Sequence, residues 1–259
     1  MRDLDEALRR AYDRLAPGPA PAAPGAPHRP ARRATSLRPS RVYQPPAQPT
    51  GPSLEWPEVV DVLERSWGSR FEQMADRILE ARERKGVKVL LFTSCRRAEG
   101  RTTLVLTLAR ALARRPVRTL LVDADLSGPM LARSLGLRPE VGLDDVVEDG
   151  KAVEDALVES PGDRLWVLPM RAAASRPKEF LAGAAWACTM ARLRRDFDLV
   201  LVDGGPLFAG MSAAVLHRSV DAAVLVHSRD ATGERSILRA REVLEAGGVP
   251  LLGLAETFA

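Results

Sequence analysis

Cysteine, aromatic residues and long apolar runs are all scarce in this chain of 259 residues. Its two cysteines, Cys95 and Cys188, cannot build the disulfide framework of a small secreted domain. No stretch approaches the roughly 18 to 20 consecutive apolar residues of a membrane-spanning helix, and the first ten residues, MRDLDEALRR, lack the apolar segment of a secretory signal. We therefore expect a cytoplasmic location, with any association with the inner membrane made through a partner.

Lysine is also scarce, and the excess of positive charge lies at one end of the sequence. Four lysines stand beside 34 arginines, and residues 1–54 hold nine arginines against four acidic residues. The pI of about 9.5 therefore describes a basic tail on a nearly neutral body. Such a tail is little support for nucleic-acid binding, so we expect no nucleic-acid partner.

The sequence divides into three segments: residues 1–15, 16–53 and 54–259. The first has apolar or aromatic side chains at helical spacing and predicts a short amphipathic helix, either a docking peptide or a frayed end without function. The second is rich in Pro, Ala and Arg and has no acidic residue, which predicts a disordered linker. The third has the hydrophobic content of one folded domain.

Apolar runs of strand length alternate with helical patterns through the third segment. The predicted strands are 87–94, 117–125, 164–169, 198–204, 222–228 and 250–255, and the predicted helices are 59–84, 102–115, 178–195 and 232–246. Strands that are apolar throughout are covered on both faces. The pattern predicts an α/β fold with a parallel β-sheet sandwiched by helices.

The turn after the first strand, CRRAEGRTT, approximates the phosphate-loop pattern G-x-x-x-x-G-K-[ST]. Cys95 stands at the first Gly position, Gly100 at the second, Arg101 at the Lys position and Thr102 at the hydroxyl position. Two of the four positions fail, but the turn lies between a strand and a helix, as anion binding at a helix N-terminus requires. From the turn alone, a plain helix start capped by Thr102 or Thr103 is an equal alternative.

Three acidic residues follow two of the other apolar strands. Asp123 and Asp125 come at the end of one, and Asp203 ends another before a glycine pair that we expect to break the strand. The carboxyl ends of parallel strands face the crevice where open α/β sheets bind ligands. Carboxylates are the hard oxygen ligands that Mg²⁺ prefers, so the three acids favour the phosphate-loop interpretation over a simple cap.

The order TSCRRAEGRTT, LLVDADLSGPML and FDLVLVDGGP resembles the MinD/ParA branch of the P-loop NTPases. It resembles more closely the bacterial tyrosine kinases (BY-kinases) of capsule and exopolysaccharide synthesis. The segments VGLDDVV and RLWVLPMRAAASRPKEFLAG fit the same family pattern, and the resemblance covers about residues 66 to 257. It implies a MinD/ParA-like P-loop NTPase fold with a degenerate Walker A motif.

The resemblance also implies ATP and Mg²⁺ as ligands and gives roles to particular residues. Asp123, at the position of the catalytic base, and Arg101, at the phosphates, are the catalytic candidates. Thr102, Asp125 and Asp203 are the candidates for holding Mg²⁺, directly or through water. The candidate nucleotide-binding residues are Arg96, which occupies the signature-lysine position, and Arg97, Ala98, Glu99, Gly100, Arg101, Thr102 and Thr103.

Several departures from the family pattern fall at functional positions. Arg101 replaces the loop lysine, and a planar guanidinium does not reproduce a compact ammonium. Cys95 and Arg97 replace glycines, which restricts the loop if either position needs a positive φ. The family typically ends in a tyrosine cluster, whereas the only tyrosines here are Tyr12 and Tyr43.

Three hypotheses follow. The first is an ATP-binding, BY-kinase-like protein of polysaccharide synthesis or export, with Mg²⁺-dependent hydrolysis or tyrosine phosphotransfer weakened by the Lys-to-Arg exchange. The second is a catalytically dead scaffold that docks on a membrane-anchored polysaccharide chain-length or export protein. The third, ranked last, is a MinD/ParA-type positioning ATPase. The helix at 59–84 occupies the place where the family makes oligomer contacts, so it is either a contact of a homo-oligomer or a solvated face.

Overall fold

The computed structural model describes residues 53–209 and 219–257. The predicted segment 1–15, and all of 16–53 except Ser53, lie outside the described residues. The described fold starts at an anchor, where the main-chain N–H of Leu54 and the indole N–H of Trp56 donate to the Asp163 carboxylate at 3.2 and 2.8 Å. These bonds tie the start of the described chain to the turn at residues 161–164.

The described part of the chain contains eight α-helices, seven strands and one 3-10 helix (Leu207–Ala209). The helices are α1 (Glu58–Lys85), α2 (Arg101–Ala113), α3 (Leu131–Ser134), α4 (Leu143–Glu148), α5 (Val153–Ala156), α6 (Pro177–Ala182), α7 (Ala184–Asp196) and α8 (Glu234–Ala246). The strands are β1 (Val89–Ser94), β2 (Thr119–Ala124), β3 (Val158–Ser160), β4 (Leu165–Leu168), β5 (Leu199–Pro206), β6 (Ala222–Ser228) and β7 (Leu251–Thr257).

The strands form one sheet in the order β3-β4-β2-β5-β1-β6-β7. All neighbours pair in parallel except β3, which pairs with β4 in the antiparallel direction at the sheet edge. The order places β1, β2 and β5 side by side in the middle of the sheet. Their carboxyl ends, which carry the turn and the acids singled out above, therefore meet at one edge.

Helices cover both faces of the sheet. One apolar cluster joins α1 and α2 to strand side chains such as Leu90 and Phe92, and the other joins α4, α6, α7 and α8 to Val89 and Leu91. Successive strand residues point to opposite faces, so a strand that is apolar throughout contributes to both clusters. The predicted α/β fold with helices on both sides of a mostly parallel sheet is confirmed.

The predicted helices and strands are present, with the following differences. The edge strand β3 was not predicted, the helix expected over 178–195 is divided at Gly183, and three short helices come from segments assigned no structure. The glycine pair after Asp203 does not break its strand, because β5 runs on to Pro206. There the pairing with β1 shifts by one residue, from Phe92 opposite Asp203 to Ser94 opposite Pro206, so the pair is accommodated as a bulge.

No helix in residues 53–209 or 219–257 is both long enough and apolar enough to cross a membrane.

Candidate functional site

The sheet brings the predicted loop and the predicted acids together. The loop joins β1 to α2, Asp123 and Asp125 lie at the end of β2, and Asp203 lies in β5 between these two strands. Asp123 and Asp203 are directly paired in register. The central sheet order, rather than proximity in sequence, therefore builds the site.

The loop takes its special backbone conformations at Ala98 and Gly100. Gly100 has φ +75° and precedes the first residue of α2, and Ala98 has φ +61°. Among the described non-glycine residues, only Ala98 and Arg164 have positive φ. Cys95 and Arg97 therefore do not restrict the loop in the way that a need for positive φ would imply, because neither has a positive φ. The residue with a Cβ in the left-handed region is Ala98.

Two threonines outside the predicted motifs hold the loop in place. The buried Glu99 carboxylate accepts hydrogen bonds from the main-chain N–H of Arg96, at 2.9 Å, and from the Thr232 hydroxyl. The Thr257 hydroxyl donates to the Glu99 carbonyl at 2.8 Å, and a Cβ added at Gly100 would lie 3.2 Å from the Thr257 Cγ2. These contacts were not predicted from the sequence, because both threonines lie far from Glu99 along the chain and hydroxyl side chains give no periodic signal.

The start of α2 presents donors to the crevice. The main-chain N–H groups of Gly100, Arg101 and Thr102 have no acceptor within the described part of the chain. Such free groups at the N-terminus of a helix carry the positive end of its dipole and favour an anion. The geometry suits a phosphate approached from the carboxyl edge of the sheet.

Arg101 spans the whole site. Its Nε donates to Asp203 Oδ1 at 2.7 Å, its Nη2 to Asp125 Oδ2 at 2.9 Å and its Nη1 to the Ser94 hydroxyl at 3.0 Å. Burial acts to lower the pKa of this guanidinium, but Asp203 and Asp125 outweigh it and hold the pKa above its usual range. In this state the predicted phosphate-binding cation is bound to the acids instead.

The Thr102 hydroxyl faces the same acid. It donates to Asp203 Oδ2 at 2.8 Å, and no side chain caps the start of α2. The alternative in which Thr102 or Thr103 simply caps the helix is therefore wrong. Burial raises the pKa of Asp203, while the Arg101 guanidinium and the Thr102 hydroxyl act in the opposite direction.

Asp125 accepts four hydrogen bonds. Arg97 donates twice, each at 3.3 Å, Arg101 once at 2.9 Å, and the main-chain N–H of Ser127 once at 3.3 Å. An ionised carboxylate offers about four lone-pair sites. The Asp125 carboxylate is thus saturated by donors of its own chain.

Asp123 is fully buried and bonded to main-chain groups. Its Oδ1 accepts from the N–H of Asp125 at 3.2 Å, and its Oδ2 from the N–H groups of Met130 and Leu131 at 3.0 and 2.9 Å. Burial, followed by the charge of Asp203, raises the pKa of Asp123 to about 7. A carboxyl group with that pKa can exchange a proton near neutral pH.

The remaining loop residues differ in exposure. The side chains of Arg96 and Ala98 are exposed, and that of Thr103 is half-buried. Cys95 is fully buried, with its thiol directed at the Ser236 carbonyl, and burial together with the charge of Glu99 raises its pKa to about 11. Arg96 and Thr103 border the loop without joining the cluster of acids and guanidiniums.

The donor set fits Mg²⁺ on one condition. Thr102, Asp125 and Asp203 supply only hard oxygen atoms, as Mg²⁺ prefers. Among the described residues no three His, Cys, Asp or Glu side chains form a metal site by themselves, so the ion would need further oxygens from phosphate and water. The condition is that the guanidiniums make room, since Arg101 now holds both carboxylates and Arg97 also holds Asp125.

The curated relatives that resemble this chain are tyrosine-protein kinases. YwqD of Bacillus subtilis is 30% identical over 168 residues, which are 64% of this chain and 70% of YwqD. CpsD of Streptococcus pneumoniae is 27% identical over 169 residues, 65% of this chain and 74% of CpsD. The chain belongs to the bacterial tyrosine kinase family. No family model matches the chain.

Solved structures place this BY-kinase chain within the MinD/ParA-like P-loop NTPases. The VpsO kinase domain is 26% identical with a TM-score of 0.67, and the match covers 76% of this chain and 97% of that domain. The chimerical protein CapA2B2 has a TM-score of 0.70 at 22% identity, covers 80% and 92% of the two chains, and shows the shared fold. The Pyrococcus furiosus cell division ATPase MinD is 28% identical with a TM-score of 0.54 over 64% of this chain and 70% of MinD.

Proposed function

We propose that this BY-kinase chain binds ATP with Mg²⁺ and transfers or hydrolyses the terminal phosphoryl group. One observation carries the proposal: Arg101, Thr102, Asp125 and Asp203 meet within hydrogen-bond distance at the free N-terminus of α2. Phosphoryl transfer depends mainly on positioning and charge neutralisation. A cation, a hydroxyl and two carboxylates beside unpaired amides are the groups that this chemistry uses.

Different residues of the site would bind phosphate, hold the metal ion and accept a proton. The amides of Gly100 to Thr102 and the Arg101 guanidinium would bind phosphate oxygens, and Arg101 must leave the carboxylates to do so. Thr102, Asp125 and Asp203 would then hold Mg²⁺, directly or through water, and the ion would neutralise phosphate charge when bound. Asp123, with a pKa near 7, would accept the proton of the attacking hydroxyl, for which its Oδ1 keeps one unused acceptor site.

We assign the activity to capsule or exopolysaccharide synthesis. The support is the BY-kinase family membership, since two similar proteins are the tyrosine kinases CpsD and YwqD. The expected partner is a membrane-anchored polysaccharide chain-length or export protein, with residues 1–15 as the candidate docking segment. A homo-oligomer is part of the same proposal. A positioning ATPase is disfavoured by the structural comparison, because the TM-score is 0.54 with MinD and 0.67 with the kinase domain of VpsO.

A catalytically dead scaffold is the second candidate, and one observation favours it. Arg101 is buried in ion pairs with both acids, so the described state keeps its phosphate-binding cation away from the crevice. A scaffold would keep this network permanently, because breaking it takes the Arg101 guanidinium away from two buried carboxylates.

Nucleotide binding and phosphoryl transfer are tested in sequence. We expect ATP with Mg²⁺ to raise the melting temperature of the chain, and Thr102→Val to reduce that increase strongly. Thr119→Val is the matched control, because the buried Thr119 hydroxyl has no hydrogen-bond partner and lies at the opposite end of β2. No increase at millimolar ATP would support the scaffold.

The reaction is then followed with ATP labelled in the terminal phosphate. Label on Tyr12, Tyr43 or an added tyrosine peptide identifies a kinase, and release of free labelled phosphate alone identifies an ATPase. Binding without either product contradicts the catalytic half of the proposal.

A further inference from the structure

One of the two acids expected to hold Mg²⁺, Asp125, has no free acceptor site. Both oxygens of Asp125 accept from Arg97, and Arg101 and the Ser127 N–H complete the set of four. Any metal ion or metal-bound water that approaches Asp125 must displace one of these donors. The identity of the displaced donor therefore decides how the site responds to metal.

The two guanidinium groups on Asp125 are held unequally. Arg101 is 9% exposed and also binds Asp203 and Ser94 at 2.7 and 3.0 Å. Arg97 is 49% exposed, its two bonds are each 3.3 Å long, and it has no other hydrogen-bond partner among the described residues. Longer, more exposed contacts are weaker and exchange with solvent more readily. Arg97 is thus the donor that leaves first.

Gly128 supplies the space that Arg97 occupies. A Cβ added at residue 128 would lie 2.7 Å from Arg97 Nη1, closer than real Cβ atoms approach, and 3.2 Å from its Cζ, so the flexible Arg97 side chain would have to move. Gly128 has no positive φ, so the missing side chain, not an unusual backbone, is what the position requires. The Arg97 side chain therefore occupies the space that is left by the absence of a side chain at Gly128.

We propose that Arg97 is a second cation of the phosphate site and competes with Mg²⁺ for Asp125, so that this chain binds ATP with only a weak dependence on Mg²⁺. The inference rests on the proposed nucleotide site. Without metal, Arg97 and Arg101 together supply the positive charge that a triphosphate needs. When Mg²⁺ is present, it adds little to the affinity for ATP, because its binding must first break the ion pair between Arg97 and Asp125.

The test measures the ATP dissociation constant by calorimetry in EDTA and in millimolar Mg²⁺. For the full chain we expect the two constants to agree within about threefold. Arg97→Ala should weaken binding in EDTA by about tenfold, the usual loss for one charge-assisted hydrogen bond, and Mg²⁺ should restore most of it. Gly128→Ala should give the same pattern, because it displaces Arg97 without changing the loop sequence.

Arg133→Ala is the charge-matched control. Arg133 is exposed on α3, and its side chain joins no hydrogen bond or ion pair among residues 53–209 and 219–257. Its removal should leave the ratio of the two constants unchanged. As a readout without nucleotide, millimolar Mg²⁺ alone should raise the melting temperature of Arg97→Ala more than that of the unmodified chain.

The outcomes separate the inference from the proposed function. An unmodified chain that loses more than about tenfold in affinity on metal removal, or an Arg97→Ala chain with the same metal ratio as the unmodified one, overturns the inference while nucleotide binding stands. A complete absence of ATP binding in every folded variant overturns both. If Arg97→Ala does not fold, Gly128→Ala decides the matter.

Discussion

Arg101 uses the geometry that distinguishes arginine from lysine. Its planar fork reaches Asp203, Asp125 and Ser94 at once, which a single ammonium nitrogen cannot do at the same three distances. The exchange from lysine therefore adds a structural role to the loop. It also makes release of the acids a step that nucleotide binding must drive.

The first prediction concerns the stability that this network provides. Arg101→Ala should lower the free energy of unfolding by about 3 to 5 kcal/mol, because it removes the cation bonded to the buried Asp203 and the closer of the two cations bonded to Asp125. Arg101→Lys should lower it by less, about 1 to 3 kcal/mol. Urea unfolding of the nucleotide-free chain measures both. The exposed Arg133→Ala variant is the control, and losses for Arg101→Ala no larger than the control's would contradict the network.

The second prediction concerns pH and Asp123. Its pKa of about 7 in the folded chain lies above the value of about 3.9 for an unfolded Asp, so the folded state binds more protons between these values. Stability should therefore fall as the pH rises from about 4 to about 7, by about 2 kcal/mol between pH 5 and pH 7 from this group alone, and then level off.

Asp123→Asn isolates that contribution, since the amide keeps the shape and cannot ionise. The difference in unfolding free energy between the unmodified chain and Asp123→Asn should change by about 2 kcal/mol between pH 5 and pH 7. Glu140→Gln removes one exposed carboxylate and is the control. A constant difference across this range would show that Asp123 is ionised throughout.

The phosphate loop, as an element, carries strain at one position. Ala98 has φ +61°, a conformation that costs a residue with a Cβ roughly 1 to 2 kcal/mol. Neighbouring contacts through Glu99, Thr232 and Thr257 hold the loop in this shape. Such strain is found at functional sites that are held ready for a ligand.

The third prediction follows from that strain. Ala98→Gly should raise the free energy of unfolding by about 1 kcal/mol, because glycine adopts positive φ without a steric penalty. Ala191→Gly, at an exposed position in the middle of α7, should lower it by a similar amount. Chemical unfolding compares the two variants. Equal destabilisation by both would mean that Ala98 is not strained.

The fourth prediction concerns β2. The Thr119 hydroxyl is buried without a hydrogen-bond partner, so Thr119→Val should stabilise the chain by about 1 kcal/mol through loss of a desolvated polar group. Thr102→Val, which removes a hydroxyl bonded to Asp203, should have the opposite sign. Thermal unfolding of both variants without nucleotide checks the pair, and destabilisation by Thr119→Val would contradict the described burial.

At the scale of elements, periodicity predicted what is long and apolar. The helix expected over 59–84 is found at Glu58–Lys85, and the six predicted strands are all present. Short elements such as β3 were not predicted, because three residues are too few to show a periodic pattern of apolar side chains. The glycines after Asp203 suggested a strand end, but a bulge beside β1 lets β5 continue.

The contacts inside the site could be predicted only in part. Motif order predicted which residues lie together, because the carboxyl ends of parallel strands share one edge. It did not predict that Arg101 and Arg97 bind the acids, since pairing among several charges depends on distances set by the fold. Thr232 and Thr257 were missed for the same reason.

Across the whole molecule, the crevice is close to neutral before any ligand enters. Asp125 and Asp203 are balanced by Arg97 and Arg101, and a protonated Asp123 adds no charge below about pH 7. A triphosphate therefore meets amides and guanidiniums rather than an uncompensated acidic cluster. Binding exchanges internal ion pairs for bonds to phosphate, which costs less than creating new charges in a buried site.

Hydrogen–deuterium exchange tests the phosphate cradle most directly, because it reports on the main-chain N–H groups themselves. With saturating ATP, a peptide covering residues 96–106 should exchange more slowly than without nucleotide. A peptide from α7 (Ala184–Asp196), on the opposite face of the sheet, should not change. Unchanged exchange in the loop peptide at a nucleotide concentration that shifts the melting temperature would contradict the account, since ATP would then bind elsewhere.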